Sequence, residues 1–412
     1  MQPSFASSSR VVAAVLALLL LASCSSGSKS TTATKPTGIT PSTAPVTTLA
    51  PAVAAKAYEQ AGPNPVGVTT YTLPAGNKLE VWYPAVAGTT GTITYDARDY
   101  TPASIKALLT ANIPASFSYA GGRDAKVAAG QYPLVLFSHG FAGYRVQSSF
   151  LTSHLASWGM IVASPEHPSR DLSHALEFKL GTAQDSIDDM AATLKLVTAE
   201  NAKAGSLLAG HVDTAHVAAV GHSAGGATVL GAARQIAAID GYVSLASGIF
   251  RNTGGTGTSG ATTTSTTQPP MPDKPSLFVA GADDHVAVFA DVTKPAFDTA
   301  TAPTRLWLIG KLGHNGFDDV CTYGNGKGII GVAEASGLGP LLSKPPFDQF
   351  KLLGSDGCLP PAAPVRQSWP IIDHVVTAWL RNLFGIDPQP VGLGTEVAGQ
   401  YGVSVHIEAR VS

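Results

Sequence analysis

The chain has 412 residues, 44% of them hydrophobic and only 13% charged, with a formal net charge of −2. That is apolar material enough for one large α/β core or two modest ones. It offers no basic face, which excludes nucleic acid as an expected partner.

Arg10 precedes an unbroken apolar run from Val11 to Leu21. A positive residue ahead of about a dozen apolar ones predicts a secretory signal, too short to span a bilayer. Leu21-Ala22-Ser23-Cys24 resembles the lipobox of bacterial lipoproteins. That resemblance implies a signal peptide over residues 1–23, lipidation of Cys24, and an exported protein held at the membrane of the cell envelope by its lipid. Ser25 to about Ala55 is rich in Ser, Thr, Pro and Ala. Such a segment cannot bury enough surface to fold, so 24–61 is expected to be a disordered tether and the folded domain to occupy 62–412.

Leu79 to Pro84 alternates and ends in proline, as an early strand does. Between Ala85 and Gln131 only one short helix, around Pro102 to Thr110, is suggested. Leu134 to Phe137 is a continuous apolar run of the kind buried on both faces of a parallel sheet. It ends in Ser138-His139-Gly140-Phe141, a turn from which a backbone N–H can point into a site. A helix over Gln147–Trp158 and a strand over Met160–Ser164 follow. Glu166-His167-Pro168 then lies at the carboxyl end of a strand, where ligands bind in such sheets; His167 reads as a structural or rim residue. Asp185 to Ala199 has helical apolar spacing, with Asp185, Asp188 and Asp189 as a solvated face or helix N-terminal charges.

His216 to Leu230 reads H-V-A-A-V-G-H-S-A-G-G-A-T-V-L. This is a strand, a tight turn and a helix, with Ser223 at the apex of G-x-S-x-G. The glycines are needed because the nucleophile's backbone is strained and its neighbours crowd it. The Ala224 N–H, at a helix start, can stabilise an oxyanion. Strands are expected at Gly241–Ala246, Ser276–Ala280 and Arg305–Ile309, with a Gly/Thr/Ser/Pro insert at 251–273 and a longer segment at 316–366. Pro370–Phe384 reads as a closing amphipathic helix and Val403–Ile407 as an edge strand. Alternating strands and helices predict one α/β domain with a mostly parallel central sheet flanked by helices.

A serine hydroxyl needs a base, and the base needs an orienting acid. Ser223, Asp284 and His314 each fall just beyond a predicted strand, in the order nucleophile, acid, base. Asp283 is adjacent to Asp284 and is the alternative acid. His139 and His222 read as structural. His211 and His216 show no metal-ligand spacing, and no metal or cofactor is expected. Export would favour a disulfide between Cys321 and Cys358, against the alternative of two buried thiols.

These residues carry a resemblance. Phe137-Ser-His-Gly-Phe141, Leu155-Ala-Ser-Trp-Gly159 with Glu166-His167, and Gly221-His-Ser-Ala-Gly-Gly-Ala-Thr-Val229 are similar to α/β hydrolases of one group. It contains platelet-activating-factor acetylhydrolases, predicted dienelactone hydrolases and bacterial cutinase-like polyester hydrolases. The resemblance covers roughly Gly62 to Phe384. It implies an α/β-hydrolase fold, Ser223 as nucleophile, His314 as base, and the backbone N–H groups of Phe141 and Ala224 as oxyanion hole. The acetylhydrolases carry their acid on the strand after the nucleophile helix; here that strand ends in Ser244-Leu-Ala-Ser247, and Gly281-Ala-Asp-Asp284 is instead similar to the other two branches.

The expected function is an exported serine esterase acting through an acyl-enzyme on a small-molecule or lipid ester, with short- to medium-chain acyl or polyester-like substrates. A thioesterase or peptidase on the same triad, or a cell-envelope lipoprotein that binds without catalysis, are the alternatives.

Overall fold

The computed structural model describes residues 56–250 and 269–411. The signal peptide, Cys24, the tether up to residue 55 and most of the 251–273 insert lie outside the described residues.

The twelve strands of the described residues are β1 (Val66–Thr72), β2 (Lys78–Pro84), β3 (Thr92–Asp96), β4 (Ser116–Ala120), β5 (Gly122–Arg123), β6 (Tyr132–Ser138), β7 (Ile161–Pro165), β8 (Val212–His222), β9 (Gly241–Leu245), β10 (Ser276–Gly281), β11 (Thr304–Ile309) and β12 (Val405–Arg410). Ten form one sheet in the order β12-β11-β10-β9-β8-β6-β7-β2-β1-β5, and β3 and β4 pair as a separate hairpin. From β11 to β7 every neighbouring pair is parallel, while β2 and β12 join antiparallel at the flanks.

The helices are α1 (Ala103–Lys106), α2 (Ser149–Ser157), α3 (Leu172–Leu176), α4 (Ala183–Ala202), α5 (Ala224–Gln235), α6 (Thr293–Thr299), α7 (Gly328–Ala335), α8 (Gln349–Leu353) and α9 (Val365–Leu383). Successive strand residues point to opposite faces, and both faces are covered. Leu134 and Leu136 enter one core with Met190 of α4 and Val229 of α5; Val135 and Phe137 enter the other with Leu151 of α2 and Ile372 of α9. That double burial explains why the central strands read as continuous apolar runs. Among the described residues no helix is long and apolar enough to cross a membrane.

Most predicted elements form within a few residues of their expected bounds. Two differ instructively. The last helix starts at Val365, five residues before Pro370, because Val365 and Trp369 are buried and the Trp369 indole N–H donates to the Gly316 carbonyl. The irregular stretch after Ala85 contains the β3–β4 hairpin, whose strands lie about twenty residues apart in sequence and pair Tyr95 with Phe117.

Because β6, β8, β10 and β11 are parallel, their carboxyl ends share one edge of the sheet. The loops leaving that edge carry Phe141, Ser223, Asp284 and His314.

Candidate active site

Ser223 sits between the end of β8 and the start of α5 with φ +56° and ψ −122°, a conformation that strains a residue with a Cβ. Its N–H donates to the Leu245 carbonyl at 2.9 Å. The flanking glycines are required by space: a Cβ on Gly221 would lie 2.2 Å from the Gly225 carbonyl oxygen, and one on Gly225 would lie 1.9 Å from that of Ser138. The elbow is therefore driven into the end of β6.

His314 Nε2 lies 2.8 Å from Ser223 Oγ, and His314 Nδ1 lies 2.9 Å from Asp284 Oδ2. All three side chains are buried. Asp284 Oδ1 accepts the N–H groups of Val286 and Ala287 at 2.8 and 2.7 Å. Burial alone would raise the Asp284 carboxyl; the adjacent His314 and the two N–H donors outweigh it and hold the group below the ordinary aspartate range. Of the two adjacent acids, Asp284 meets His314; Asp283 instead donates its N–H to the Leu312 carbonyl.

His222 stands beside this array. Its Nε2 lies 3.1 Å from the His314 carbonyl and its Nδ1 2.8 Å from Gln147 Nε2. The carbonyl can only accept and the amide nitrogen can only donate, so His222 carries its proton on Nε2. Gln147 Oε1 in turn accepts the Gly140 N–H at 3.3 Å. Burial and the neighbouring His314 push the His222 imidazole down to about 3, so it stays neutral.

The loop Ser138–Gly143 is held by Arg170, a buried cation. Its guanidinium donates to Ser138 Oγ and the His139 carbonyl, each at 2.7 Å, and to Thr228 Oγ1 at 2.8 Å. Burial lowers its pKa to about 9, against the pull of Asp189 and Glu166. His167 is fully buried and not at a rim: it bridges Ser138 Oγ and Asp189 Oδ2. Asp189 is accordingly not part of a solvated face. It binds His167 and Asn77, and desolvation raises its carboxyl to about 7. Asp185 does belong to the helix start, in a capping box with Thr182.

A cavity of about 140 Å³ opens onto Ser223, His314 and Phe141. One apolar cavity of that size accommodates a benzene ring. Its far walls come from 316–366: Ile329, Ile330 and Val332 at α7, then Leu338, Leu342, Phe347 and Phe350. Phe178, beyond α3, packs edge-on against Phe347 with ring centres 5.6 Å apart. The segment is closed on itself by the Cys321–Cys358 disulfide, which fits an oxidising compartment. It also brings Asp356 back to His314. Asp356 Oδ2 accepts the N–H groups of His314 and His285 at 2.9 and 3.2 Å, and Oδ1 lies 2.8 Å from His285 Nδ1.

Gln147, Arg170 and Asp356 left no motif in the sequence, since each ties together loops that only the fold brings side by side. Among the described residues, no three or more His, Cys, Asp or Glu are grouped so that they could hold a metal ion.

The family model for platelet-activating factor acetylhydrolase, isoform II, matches residues 77–207, from β2 to just beyond α4 and short of Ser223. No curated protein matches the sequence. Among solved structures, a ferulic acid esterase from Streptomyces cinnamoneus is similar at 18% identity and a TM-score of 0.52, over 80% of this chain and 93% of that one; at that identity the likeness speaks for the fold. The mostly parallel sheet with its flanking helices is an α/β-hydrolase fold, and the similarity to the platelet-activating factor acetylhydrolase, isoform II, family over β2 to α4 supports a hydrolase of carboxylic esters.

Proposed function

We propose that the chain is an exported, lipid-anchored serine esterase working through an acyl-enzyme, with Ser223 as nucleophile, His314 as base and Asp284 as orienting acid. The observation that carries it is the unbroken Ser223–His314–Asp284 contact, at 2.8 and 2.9 Å, on a strained elbow facing an apolar cavity. His314 takes the Ser223 proton as Oγ attacks the ester carbonyl, and Asp284 stabilises the imidazolium that results. The backbone N–H groups of Phe141 and Ala224 hold the oxyanion; Phe141 lines the same cavity as Ser223, and Ala224 opens α5. His314 then returns its proton to the leaving alcohol. Water repeats the cycle to free the acid.

The apolar cap walls suit an acyl group of short to medium length. Membrane attachment through Cys24 rests on the lipobox sequence, and the disulfide is in keeping with export.

The test is turnover of p-nitrophenyl esters from acetyl to palmitoyl, compared with Ser223→Ala. The expected result is activity peaking at one chain length and a loss in the variant on the order of 10³-fold or more. Equal turnover by the folded variant would sink the assignment.

A further inference from the structure

Cys321–Cys358 closes a segment that does more than wall the cavity. Two residues before Cys358, the Asp356 side chain, 5% exposed, lies between the acid loop and the base loop. It takes the His314 N–H on one side and the His285 N–H and ring on the other. Its main-chain carbonyl accepts both the N–H and the side-chain amide of Asn315, at 3.0 and 3.1 Å. The next residue, Gly357, has φ +81° and is pressed against Gly313: a Cβ on Gly313 would lie 2.3 Å from the Gly357 Cα. Two glycines are needed there because two backbones touch.

Val286 and Ala287 N–H groups are already committed to Asp284. The N–H of His285, between them and Asp284, is bound from outside the loop. One carboxylate thus fixes the residue after the acid and the backbone of the base at the same time. We propose that Asp356 is a positioning residue for the triad, set in place by the Cys321–Cys358 disulfide. The assignment rests on the proposed serine esterase function. It goes beyond a staple, because it makes the separation of Asp284 and His314 depend on the cap segment.

A misplacement of about 1 Å costs roughly 100-fold in rate, and the cavity walls themselves do not involve Asp356. The loss should therefore fall on kcat. The experiment uses the full-length protein and p-nitrophenyl butyrate, with active sites counted by a serine-directed phosphonate. Asp356→Ala is expected to lower kcat per titrated site by roughly 10- to 100-fold with KM within about twofold. Asp356→Asn keeps an acceptor for the His314 N–H and should recover most of that loss. His285→Ala, at a side chain 67% exposed, folds without demand on the core and should lower kcat a few-fold. Cys321→Ser with Cys358→Ser should fall between His285→Ala and Asp356→Ala.

If Asp356→Ala loses titratable sites while kcat per site holds, or if KM rises as kcat falls, the residue only supports folding and the proposal is overturned. Should Asp356→Ala fail to fold, an unchanged kcat per site in both His285→Ala and the double cysteine variant overturns it equally. A wild type inert toward esters would overturn the proposed function and this assignment with it; an active wild type beside an unaltered Asp356→Ala removes the positioning role alone.

Discussion

The sheet from β6 to β11, whose loops carry Ser223 and Phe141 to the cavity, and the cap over 316–366, which walls it, are held together by opposite means. In the sheet, Leu134, Val135, Leu136 and Phe137 are all fully buried, each stabilising the fold by roughly 1.5–3 kcal/mol. In the cap, Leu341, Leu352 and Leu359 are 39%, 50% and 49% exposed, and the helices α7 and α8 have only eight and five residues. Helices that short are not stable alone; tertiary contacts and the disulfide hold them. Ser223 therefore stands on the part that cannot yield, while substrate fit and, through Asp356, the setting of His314 depend on the part that can.

The sharpest way to break that division is at the acid. Asp284→Asn is expected to cut kcat by 10³–10⁴-fold, because the amide disfavours the His314 tautomer that serves as base. Asp283→Asn, one residue away, should leave turnover within about twofold, as measured by steady-state kinetics. Equal effects at both positions would mean that the sheet edge does not select the acid.

Arg170→Met tests the rigid side from beneath the Ser138–Gly143 loop, the proposed oxyanion loop. It leaves Ser138 Oγ, the His139 carbonyl and Thr228 Oγ1 without that donor. Stability measured by denaturant unfolding should fall by about 3 kcal/mol, and kcat by roughly tenfold or more as Phe141 shifts. An unaltered kcat in the folded variant would free the loop from its anchor.

The cap is expected to answer differently. Ile330→Trp narrows the cavity from the α7 side and should shift kcat/KM toward acetyl over octanoyl esters by about tenfold. Turnover of the acetyl ester itself should hardly change. A uniform loss at every chain length would assign α7 to chemistry as well as to fit.

The smallest effect concerns pH. Asp284 is held below its ordinary value of 3.8, so it binds fewer protons folded than unfolded near that pH. Its contribution to stability is present above that range and is lost as pH falls through its folded value. Urea unfolding of wild type and Asp284→Asn should show a gap that narrows below about pH 4. A constant gap would contradict the depressed carboxyl.

The same contrast governs what the sequence discloses. Doubly buried strands announce themselves as apolar runs, and the elbow as crowded glycines around a serine. Asp284 reads as the acid with Asp283 as its alternative, because both stand on one loop and the direction of the backbone turn decides which meets His314. β1 is not legible in the sequence because Thr69, Thr70 and Thr72 break its apolar pattern. The cap's short helices lack a strong period, since their apolar residues face a cavity and solvent as well as a core. Asp356, Gln147 and Arg170 reach partners that only the fold brings near, some main-chain and some side-chain, so no local spacing marks them.

The left-handed backbone of Ser223 has a consequence for selection and engineering. A non-glycine residue there costs on the order of 1–3 kcal/mol, the Ser223 side chain makes no capping bond to α5, and the bond to His314 that a glycine would lose is worth only about 0.5–1.5 kcal/mol. Ser223→Gly should therefore be inert yet unfold at higher denaturant than wild type. A search for hardier variants, blind to turnover, would drift toward replacing the proposed nucleophile; stability and the proposed catalysis pull this one residue in opposite directions.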